Sequence, residues 1–266
     1  MPSYVVTGAA RGIGLQFVKH FSADSANQVF AIVRNKSTAT FLQELGKSNV
    51  TIIEADVTDP KALSAAAAEV AKATGNKLDY LINNAGSSTN PGFAIDTFPT
   101  PEALENDLLA NIKANTISVA HSTNAFLPLL KNGSSKKVLT VSSGAGNVNV
   151  TLKTDVAAQV GYSVAKAAMN MVVAKFAAQY RDDGFVFLSI CPGMVDTSAT
   201  KTSPPTPGEL EEYKMLGKSF SKIEGTPPPP LSTEEAVKGL MKVFDSWPIE
   251  RSGMSVSRHG SEVWEV

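Results

Sequence analysis

A tyrosine and a lysine in the second half of the sequence are spaced for acid–base chemistry. Tyr162 and Lys166 are four residues apart, so on a helix their side chains share one face. An ammonium group beside a phenol favours the phenolate, which lowers the phenol pKa from about 10 toward neutrality. Such a phenol can act as a general acid or base. A Tyr–Lys pair at this spacing is also common on protein surfaces. Other motifs are therefore needed to distinguish a catalytic pair from a surface pair.

Glycines near the amino terminus are spaced to receive a nucleotide. Residues Thr7 to Gly14 read Thr-Gly-Ala-Ala-Arg-Gly-Ile-Gly, after an apolar run and before an amphipathic pattern. Such glycines allow a tight turn and let the backbone approach a pyrophosphate, while the following helix N-terminus supplies free N–H donors. In this context the motif predicts a dinucleotide site rather than a plain structural turn.

The end of the second β-rich run bears on which dinucleotide is bound. An acidic residue there would accept hydrogen bonds from the adenosine ribose of NAD. The sequence instead reads Ile32-Val33-Arg34-Asn35, with no carboxylate to repel a 2′-phosphate. Arg34, with Arg11, could pair with that phosphate, so NADP is predicted and NAD is less favoured. A solvated charge at a strand end is the alternative role for Arg34.

Polar and small residues follow the next two β-rich runs. Asp56, followed by Val57, could accept a hydrogen bond from an adenine amino group, or could instead cap the next helix. The fourth run ends at Asn83-Asn84-Ala85-Gly86. Small residues there would let a cofactor lie across the sheet edge at the point where strand order reverses.

These motifs require a frame of alternating strands and helices. The β-rich runs are mostly apolar throughout, which indicates a parallel sheet covered by helices on both faces. The predicted strands are Ser3–Thr7, Gln28–Val33, Val50–Glu54, Leu78–Asn83, Lys136–Val141 and Phe185–Cys191, with a weaker one at Met254–Ser257. The predicted helices are Ile13–Ser22, Ser37–Leu45, Pro60–Lys72, Pro101–Leu130, Tyr162–Tyr180 and Thr233–Trp247. The prediction is an α/β fold, a doubly wound parallel sheet of about seven strands, as a single domain over residues 1–266.

One segment interrupts the alternation. From Thr197 to Leu231 no strand is predicted, and seven of the 15 prolines lie there. Long irregular insertions in compact domains are often lids or binding loops, so we expect a substrate-binding loop with a small helix at Glu209–Leu216. A solvated surface excursion is the alternative. Apolar residues in or beside this segment favour a partly apolar ligand, namely Met194, Tyr213, Met215, Leu216 and Phe220.

Composition and charge exclude several classes of function. The 24 Lys and Arg nearly balance the 25 Asp and Glu, so no overall field would draw nucleic acid or an anionic membrane. The single cysteine, Cys191, excludes an intramolecular disulfide, and the three scattered histidines form no ligand-spaced pair, so no metal site is predicted. With no recognisable signal peptide and no membrane-length apolar stretch, a cytoplasmic protein is expected.

Two more motifs follow the fifth and sixth β-rich runs, in chain order with those already described. Ser143 follows the fifth run, 19 positions before Tyr162, and Pro192-Gly193 follows the sixth. Together with the glycine-rich and Asn83–Gly86 motifs, they resemble the short-chain dehydrogenase/reductase family over essentially the whole chain. The closing stretch from Ser252 to Trp264 also resembles C-factor-type and fungal carbonyl reductases and ketoreductases. The resemblance implies an NAD(P)-dependent oxidoreductase that acts on a small carbonyl or alcohol substrate and assembles as a homodimer or homotetramer.

The resemblance also implies a role for each catalytic residue. Ser143 would hydrogen-bond the substrate carbonyl, and Tyr162 would donate its proton. Lys166 would bind the nicotinamide ribose and lower the Tyr162 pKa. Asn115 would hold a water of the proton relay, with Asn111 as a competitor for that role.

Other positions complete the implied site. Ser143 is preferred to Ser142 because the family serine precedes a glycine by three residues, and Gly146 meets this condition. Extra residues around Asn147–Val160 depart from compact family members and are expected to reshape the substrate pocket. Thr197 would lie near the nicotinamide carboxamide. The implied cofactor-binding residues are Gly8, Arg11, Gly12, Ile13, Gly14, Arg34, Asp56, Val57, Asn84, Ala85, Gly86, Tyr162, Lys166, Pro192, Gly193, Val195 and Thr197.

Two rival interpretations belong to other classes. The stretch Gly161–Ala165 nearly matches a serine-hydrolase nucleophile elbow, but it lacks a convincing strand before Ser163 and has Ala165 in place of the glycine. A dinucleotide-binding sensor or non-redox enzyme on the same fold is the stronger rival, because fold does not fix function. The joint presence of Ser143, Tyr162 and Lys166 argues against it.

Overall fold

Seven apolar strands pair side by side in a central parallel sheet. The structure, a computed structural model, describes residues 1–90, 92–201, 210, 214, 217 and 230–261. Its strands are β1 Ser3–Thr7, β2 Gln28–Val33, β3 Val50–Glu54, β4 Tyr80–Asn83, β5 Lys137–Val141, β6 Val186–Ile190, β7 Val195–Asp196, β8 Leu231–Ser232 and β9 Ser255–Val256. The large sheet has the order β3-β2-β1-β4-β5-β6-β9, and β7 pairs with β8 separately. Strand order therefore reverses between β1 and β4, which defines a Rossmann fold.

Helices cover both faces of this sheet. They are α1 Gly12–Ser22, α2 Thr40–Gln43, α3 Pro60–Thr74, α4 Pro101–Ile112, α5 Ser118–Asn132, α6 Val148–Thr154, α7 Val160–Gln179 and α8 Thr233–Asp245. Local sequence explains where several begin. Asp59 accepts hydrogen bonds from the first turn of α3, and Ser232 with Glu235 forms a capping box on α8.

The hydrophobic core lies in two layers because successive strand residues point to opposite faces. Val6 and its neighbours pack with Phe17 of α1 and Phe244 of α8 on one face. Val5 packs with α3, α5 and α7 on the other face, where Phe126 and Phe187 are fully buried. Buried apolar side chains of this size each contribute about 1.5–3 kcal/mol, so the two layers hold the strand ends in place.

The predicted doubly wound sheet is confirmed, and several element predictions are wrong in detail. The predicted helix Pro101–Leu130 is divided by a π-helical turn, Lys113–Ile117, between α4 and α5. In place of the predicted helix Ser37–Leu45 there is a 3-10 turn followed by the short α2. Helix α6 was not predicted. Nor were β7 and β8, whose pairing places a strand at Leu231, where none was expected.

Most of the predicted loop lies outside the described residues. The helix predicted at Glu209–Leu216 lies outside the described residues except for Leu210 and Lys214. At the amino-terminal end of the loop, Ser198–Thr200 forms a 3-10 turn. The backbones of β7 and β8 join the two ends of the loop, because the Leu231 N–H donates to the Met194 carbonyl at 2.9 Å.

Candidate active site

A cavity of about 560 Å³ opens at the carboxyl edge of the sheet, beside the reversal of strand order. Many of the residues predicted to bind a cofactor line it: Gly8, Arg11, Gly12, Ile13, Arg34, Asp56, Val57, Asn84, Ala85, Gly86 and Thr197. Parallel strands end at the same edge, so loops far apart in sequence meet there. The size and position of the cavity suit a dinucleotide.

The glycine-rich turn brings β1 and β4 unusually close. Gly8 has a left-handed backbone (φ 67°), and a Cβ atom on it would lie 2.8 Å from the Ala85 Cα. A Cβ atom on Gly14 would overlap the Gly8 carbonyl oxygen. Gly14 is buried beside the turn and is not among the cavity-lining residues. Its contribution is therefore close packing between strand and helix.

Hydrogen bonds fix Asn84 and Ala85 against the same turn. Asn84 Nδ2 donates to the carbonyls of Thr7 and Gly8 at 3.1 and 3.2 Å. The Thr7 hydroxyl accepts the N–H groups of Asn84 and Ala85, each at 3.1 Å. The backbone at the centre of the cavity wall is therefore held from two strands before any ligand binds.

Two arginine side chains bring positive charge to the cavity lining. Arg11 and Arg34 are both exposed side chains on its lining. Hydrogen bonds from Thr58 chiefly, with help from the charge of Arg34, lower the pKa of the Asp56 carboxyl. Asp56 does not cap α3, because Asp59 has that role. The Asp56 carboxylate already accepts the N–H and hydroxyl of Thr58, each at 2.8 Å.

The second half of the site joins β5 to α7. The Ser143 hydroxyl lies close enough to the Tyr162 hydroxyl to act on its pKa, which it lowers. The adjacent Ser142 is turned away and donates to Asn170 Oδ1 at 2.7 Å. A Cβ atom on Gly146 would lie 2.8 Å from the Ala167 nitrogen, so a glycine is needed where this segment packs on α7. Ser143, rather than Ser142, therefore faces the tyrosine.

Tyr162 and Lys166 share one face of α7. The predicted lowering of the Tyr162 pKa is nevertheless wrong for this structure, in which the pKa is raised. Burial raises the Tyr162 pKa to about 12 and outweighs the hydrogen bond from Ser143 that lowers it. Burial also lowers the Lys166 pKa to about 8. The ammonium lies 5.6 Å from the centre of the phenol ring and donates to the Val141 carbonyl at 2.8 Å.

Asn115 lies inside the π-helical turn, and a local break of this kind is frequent at functional sites. Its Nδ2 donates to the Ser87 carbonyl at 2.7 Å, and its Oδ1 accepts the Ser87 N–H at 3.2 Å. A Cβ atom on Gly86 would lie 2.7 Å from Asn115 Oδ1 and 3.7 Å from Lys166 Nζ. Asn115 and Lys166 therefore approach the same glycine. Asn111 points elsewhere, toward Thr89.

The segment after β6 borders both halves of the site. Gly193 has a left-handed backbone (φ 77°), Pro192 is buried, and Val195 pairs with Leu231. Cys191 Sγ accepts the N–H groups of Gly144 and Gly193 at 3.2 and 3.4 Å. Burial raises the pKa of the Cys191 thiol, which suits a packing residue rather than a nucleophile.

Sequence reasoning missed contacts made by the loop after Thr197. The Thr200 hydroxyl accepts the Gly12 N–H at 2.9 Å, although the two residues are 188 positions apart. Thr200, Lys201, Ser87 and Ala114 also line the cavity. No motif marks these residues, because their position depends on where the loop returns to the glycine-rich turn.

The hydrolase interpretation is wrong. Ser163 lies within the first turn of α7, and its N–H donates to the Gln159 carbonyl at 2.9 Å. In the described stretch between α6 and α7 there is no strand to place Ser163 at a nucleophile elbow.

Across the described residues, none of the helices has the length and hydrophobicity needed to cross a membrane.

Comparison with known proteins agrees with this geometry. The short chain dehydrogenase family model matches residues 3–208. A short-chain dehydrogenase/reductase of an Arthrinium species (atnB) is 40% identical over 99% of this chain and 100% of its own length. A short chain dehydrogenase of Hypocrea virens (virK) is 39% identical over the same shares. An NADPH-bound carbonyl reductase from chicken fatty liver superposes with a TM-score of 0.78, at 30% identity and 98% coverage of both chains. The chain belongs to the short-chain dehydrogenase/reductase family and is an oxidoreductase.

Proposed function

We propose that this enzyme transfers hydride between NADP(H) and a carbonyl/alcohol pair, acting mainly as a ketone reductase on a lipophilic substrate. The observation that carries the proposal is the meeting of Ser143, Tyr162, Lys166 and Asn115 at the sheet edge that also forms the dinucleotide-sized cavity. Fungal relatives and a carbonyl reductase of similar fold support it.

The residues present fit a nicotinamide dinucleotide. Gly8 and Gly12 line the cavity with left-handed backbones that favour glycine, and Arg11 and Arg34 offer positive charge at the cavity lining. A bound NADPH would supply the hydride. Arg34 would pair with the 2′-phosphate, which favours NADP over NAD.

The chain's own residues supply the proton. In the direction of reduction the substrate oxygen gains negative charge, and the Tyr162 hydroxyl donates its proton to that oxygen. The Ser143 hydroxyl, which lies near enough to Tyr162 to lower its pKa, would orient the carbonyl. Lys166 would stabilise the resulting phenolate electrostatically, and Asn115 would hold a water that returns the proton.

Exposed apolar residues on the helix that follows Ser143 support a lipophilic substrate. Val148 and Leu152 lie one helical turn apart on α6, and their side chains are 70% and 72% exposed. In the segment after β4, Ile95 is 67% exposed. Isolated exposed aliphatic residues are common, but a pair on the helix that follows the catalytic serine is suited to contact an apolar ligand. A secondary metabolite of fungal type fits this description.

Assembly and location remain predictions. Val164 and Met171 on α7 and Leu109 on α4 are exposed apolar residues on helices that pack together. They support the predicted homodimer or homotetramer, which light scattering would test, and particles of one chain only would contradict it. A cytoplasmic location is also still a prediction.

Decay of NADPH absorbance with a panel of aldehydes and ketones tests the proposed function. The expected result is turnover with NADPH that disappears in Tyr162→Phe while NADPH still binds. NADPH binding without oxidation, across aromatic, aliphatic and cyclic carbonyl compounds, would favour the sensor or non-redox alternative. Unchanged kcat in Tyr162→Phe would refute the role of the phenol.

A further inference from the structure

A buried carboxylate outside the predicted site is held by donors from three parts of the chain. Asp107 of α4 is only 2% exposed. Its Oδ1 accepts the Thr89 hydroxyl at 2.7 Å, Asn90 Nδ2 at 3.1 Å and Asn111 Nδ2 at 3.3 Å. Its Oδ2 accepts the Gly161 N–H at 3.2 Å. Because removing this acceptor leaves the buried Gly161 N–H without its partner, the arrangement is costly to disturb.

The contact with Gly161 caps the helix that carries Tyr162. Gly161 is the second residue of α7, and first-turn N–H groups have no acceptor within their own helix. The N-cap residue, Gln159, makes no side-chain capping bond. Asp107 supplies that acceptor from α4, and its negative charge suits the positive end of the α7 dipole.

The two helices touch at this point without space for a side chain. A Cβ atom on Gly161 would overlap Asp107 Oδ2 and lie 2.7 Å from Asn111 Nδ2. The residue next to Gly161 is Tyr162, so a shift of the carboxylate is passed to the phenol through one peptide unit. The glycine and the carboxylate therefore act as a matched pair.

The other oxygen of the carboxylate holds the segment that follows β4. Thr89 and Asn90 are exposed, and Asn90 has a left-handed backbone (φ 44°). The same segment is held at Ser87 by Asn115. It therefore has two attachments, one to Asp107 of α4 and one to Asn115 of the π-helical turn.

We propose that Asp107 is a positioning residue of the reaction. Through Gly161 it sets the position of Tyr162, and through Thr89 and Asn90 it sets the position of the segment after β4 relative to that phenol. The inference rests on the proposed function, since it assumes that Tyr162 donates the proton. It assigns to one carboxylate the alignment of the proton donor with the bound substrate.

Asp107→Asn tests this role because the amide keeps the side-chain volume but replaces one acceptor with an NH2 donor. That donor must face either the Gly161 N–H or the Thr89 and Asn90 side chains, which are themselves donors. Misplacement of a reacting group by about 1 Å costs up to about a hundredfold in rate, so we expect kcat for 4-nitrobenzaldehyde to fall about ten- to a hundredfold. The NADPH dissociation constant, measured by fluorescence, should change less than about twofold, because Asp107 does not line the nucleotide cavity. Unchanged kcat and KM would overturn the proposal.

Two further variants separate positioning from simple stabilisation. Thr89→Val removes one donor at an exposed position, and we expect a higher KM with kcat nearly unchanged. A fall in both Tm and activity without this split between kcat and KM would show a structural role only. Glu105→Gln, at an exposed carboxylate on the same helix, is the matched control and should leave all constants unchanged.

The proposed function and this inference fail in different ways. A wild-type enzyme that oxidises no NADPH with any carbonyl compound contradicts the function itself. An active wild type, with Tyr162→Phe inactive and Asp107→Asn fully active, contradicts only the role of Asp107. Faster hydrogen exchange at the Gly161 amide in Asp107→Asn is expected, and an unchanged rate would overturn the capping contact without requiring turnover.

Discussion

The Lys166 ammonium lies 5.6 Å from the centre of the Tyr162 ring, on the same face of α7. The two groups respond to burial in opposite directions: the Tyr162 pKa rises to about 12 and the Lys166 pKa falls to about 8. Burial favours the neutral form of each. At neutral pH the phenol therefore keeps the proton that carbonyl reduction needs, while the charge on the lysine is sensitive to small changes in pH.

The pH dependence of reduction should follow Lys166. Its ammonium is present below pH of about 8 and is lost above it, so kcat/KM for reduction should fall as pH rises through that value. In Lys166→Arg the guanidinium stays charged, so the fall should move to higher pH even if the rate is lower. Initial rates on both sides of pH 8 measure this. A fall at the same pH in the arginine variant would assign it to another group.

The reverse reaction should have the opposite dependence. Alcohol oxidation needs the phenolate to accept a proton, and in the ligand-free protein the Tyr162 pKa is about 12. The rate of oxidation should therefore rise with pH over a range in which reduction declines. The check is NADP+ reduction measured with the alcohol product of the best substrate. An oxidation rate that is highest below neutral pH would contradict this assignment.

Arg34 should decide between the two coenzymes. It is exposed at the cavity lining and close enough to Asp56 to lower its pKa. Hydrogen bonds to charged groups contribute about 1.5–3 kcal/mol, so Arg34→Ala should weaken NADPH binding about ten- to a hundredfold and NADH binding much less. Arg181→Ala, at an exposed arginine on a 3-10 turn beyond α7, is the control. Equal losses for both coenzymes would refute pairing with the phosphate.

Thr200 should contribute to stability through a single hydrogen bond. The Gly12 N–H that it receives is buried at the start of α1, so an unpaired amide there costs about 1–3 kcal/mol. Thr200→Val keeps the shape and removes the acceptor, and it should lower the free energy of unfolding in urea by about 1 kcal/mol. Thr200→Ser retains the hydroxyl and should stay close to the wild type. A valine variant of full stability would show that water replaces the hydroxyl.

The fold and the main site residues could be predicted because they depend on local order along the chain. Apolar strands and the motifs at their ends meet wherever a parallel sheet forms, so the Gly8 turn and Asn84 follow from the pattern, whereas Ser143 is singled out by the family resemblance. The division of the helix at Asn115 could not be predicted, since α4 and α5 have continuous helical periodicity. Within the π-helical turn, the Asn115 side chain donates to the Ser87 carbonyl and accepts the Ser87 N–H, a contact between residues 28 positions apart.

The remaining contacts depend on tertiary distance. In the sequence, Asp107 cannot be distinguished from the other polar residues of its amphipathic helix. Its role becomes apparent only from the contact with Gly161 in the folded chain. The Tyr162 pKa depends on how much water the fold excludes, and neighbouring residue types do not report that. Nothing in the sequence placed Thr200 beside Gly12, because the returning loop carries no periodic signal.

Two glycine-to-alanine changes should shift stability in opposite directions, because the space around the two glycines differs. Gly14 lies in α1 where a methyl group would overlap the Gly8 carbonyl, so Gly14→Ala should destabilise the protein by about 1–3 kcal/mol and weaken NADPH binding. Gly239 lies in the interior of α8 with no atom within 4 Å of such a methyl group, so Gly239→Ala should stabilise it by about 0.5–1 kcal/mol. Denaturant unfolding of both variants measures the difference. Equal effects would show that the glycine-rich turn relaxes around a side chain and that its close packing is not what holds the nucleotide cavity open.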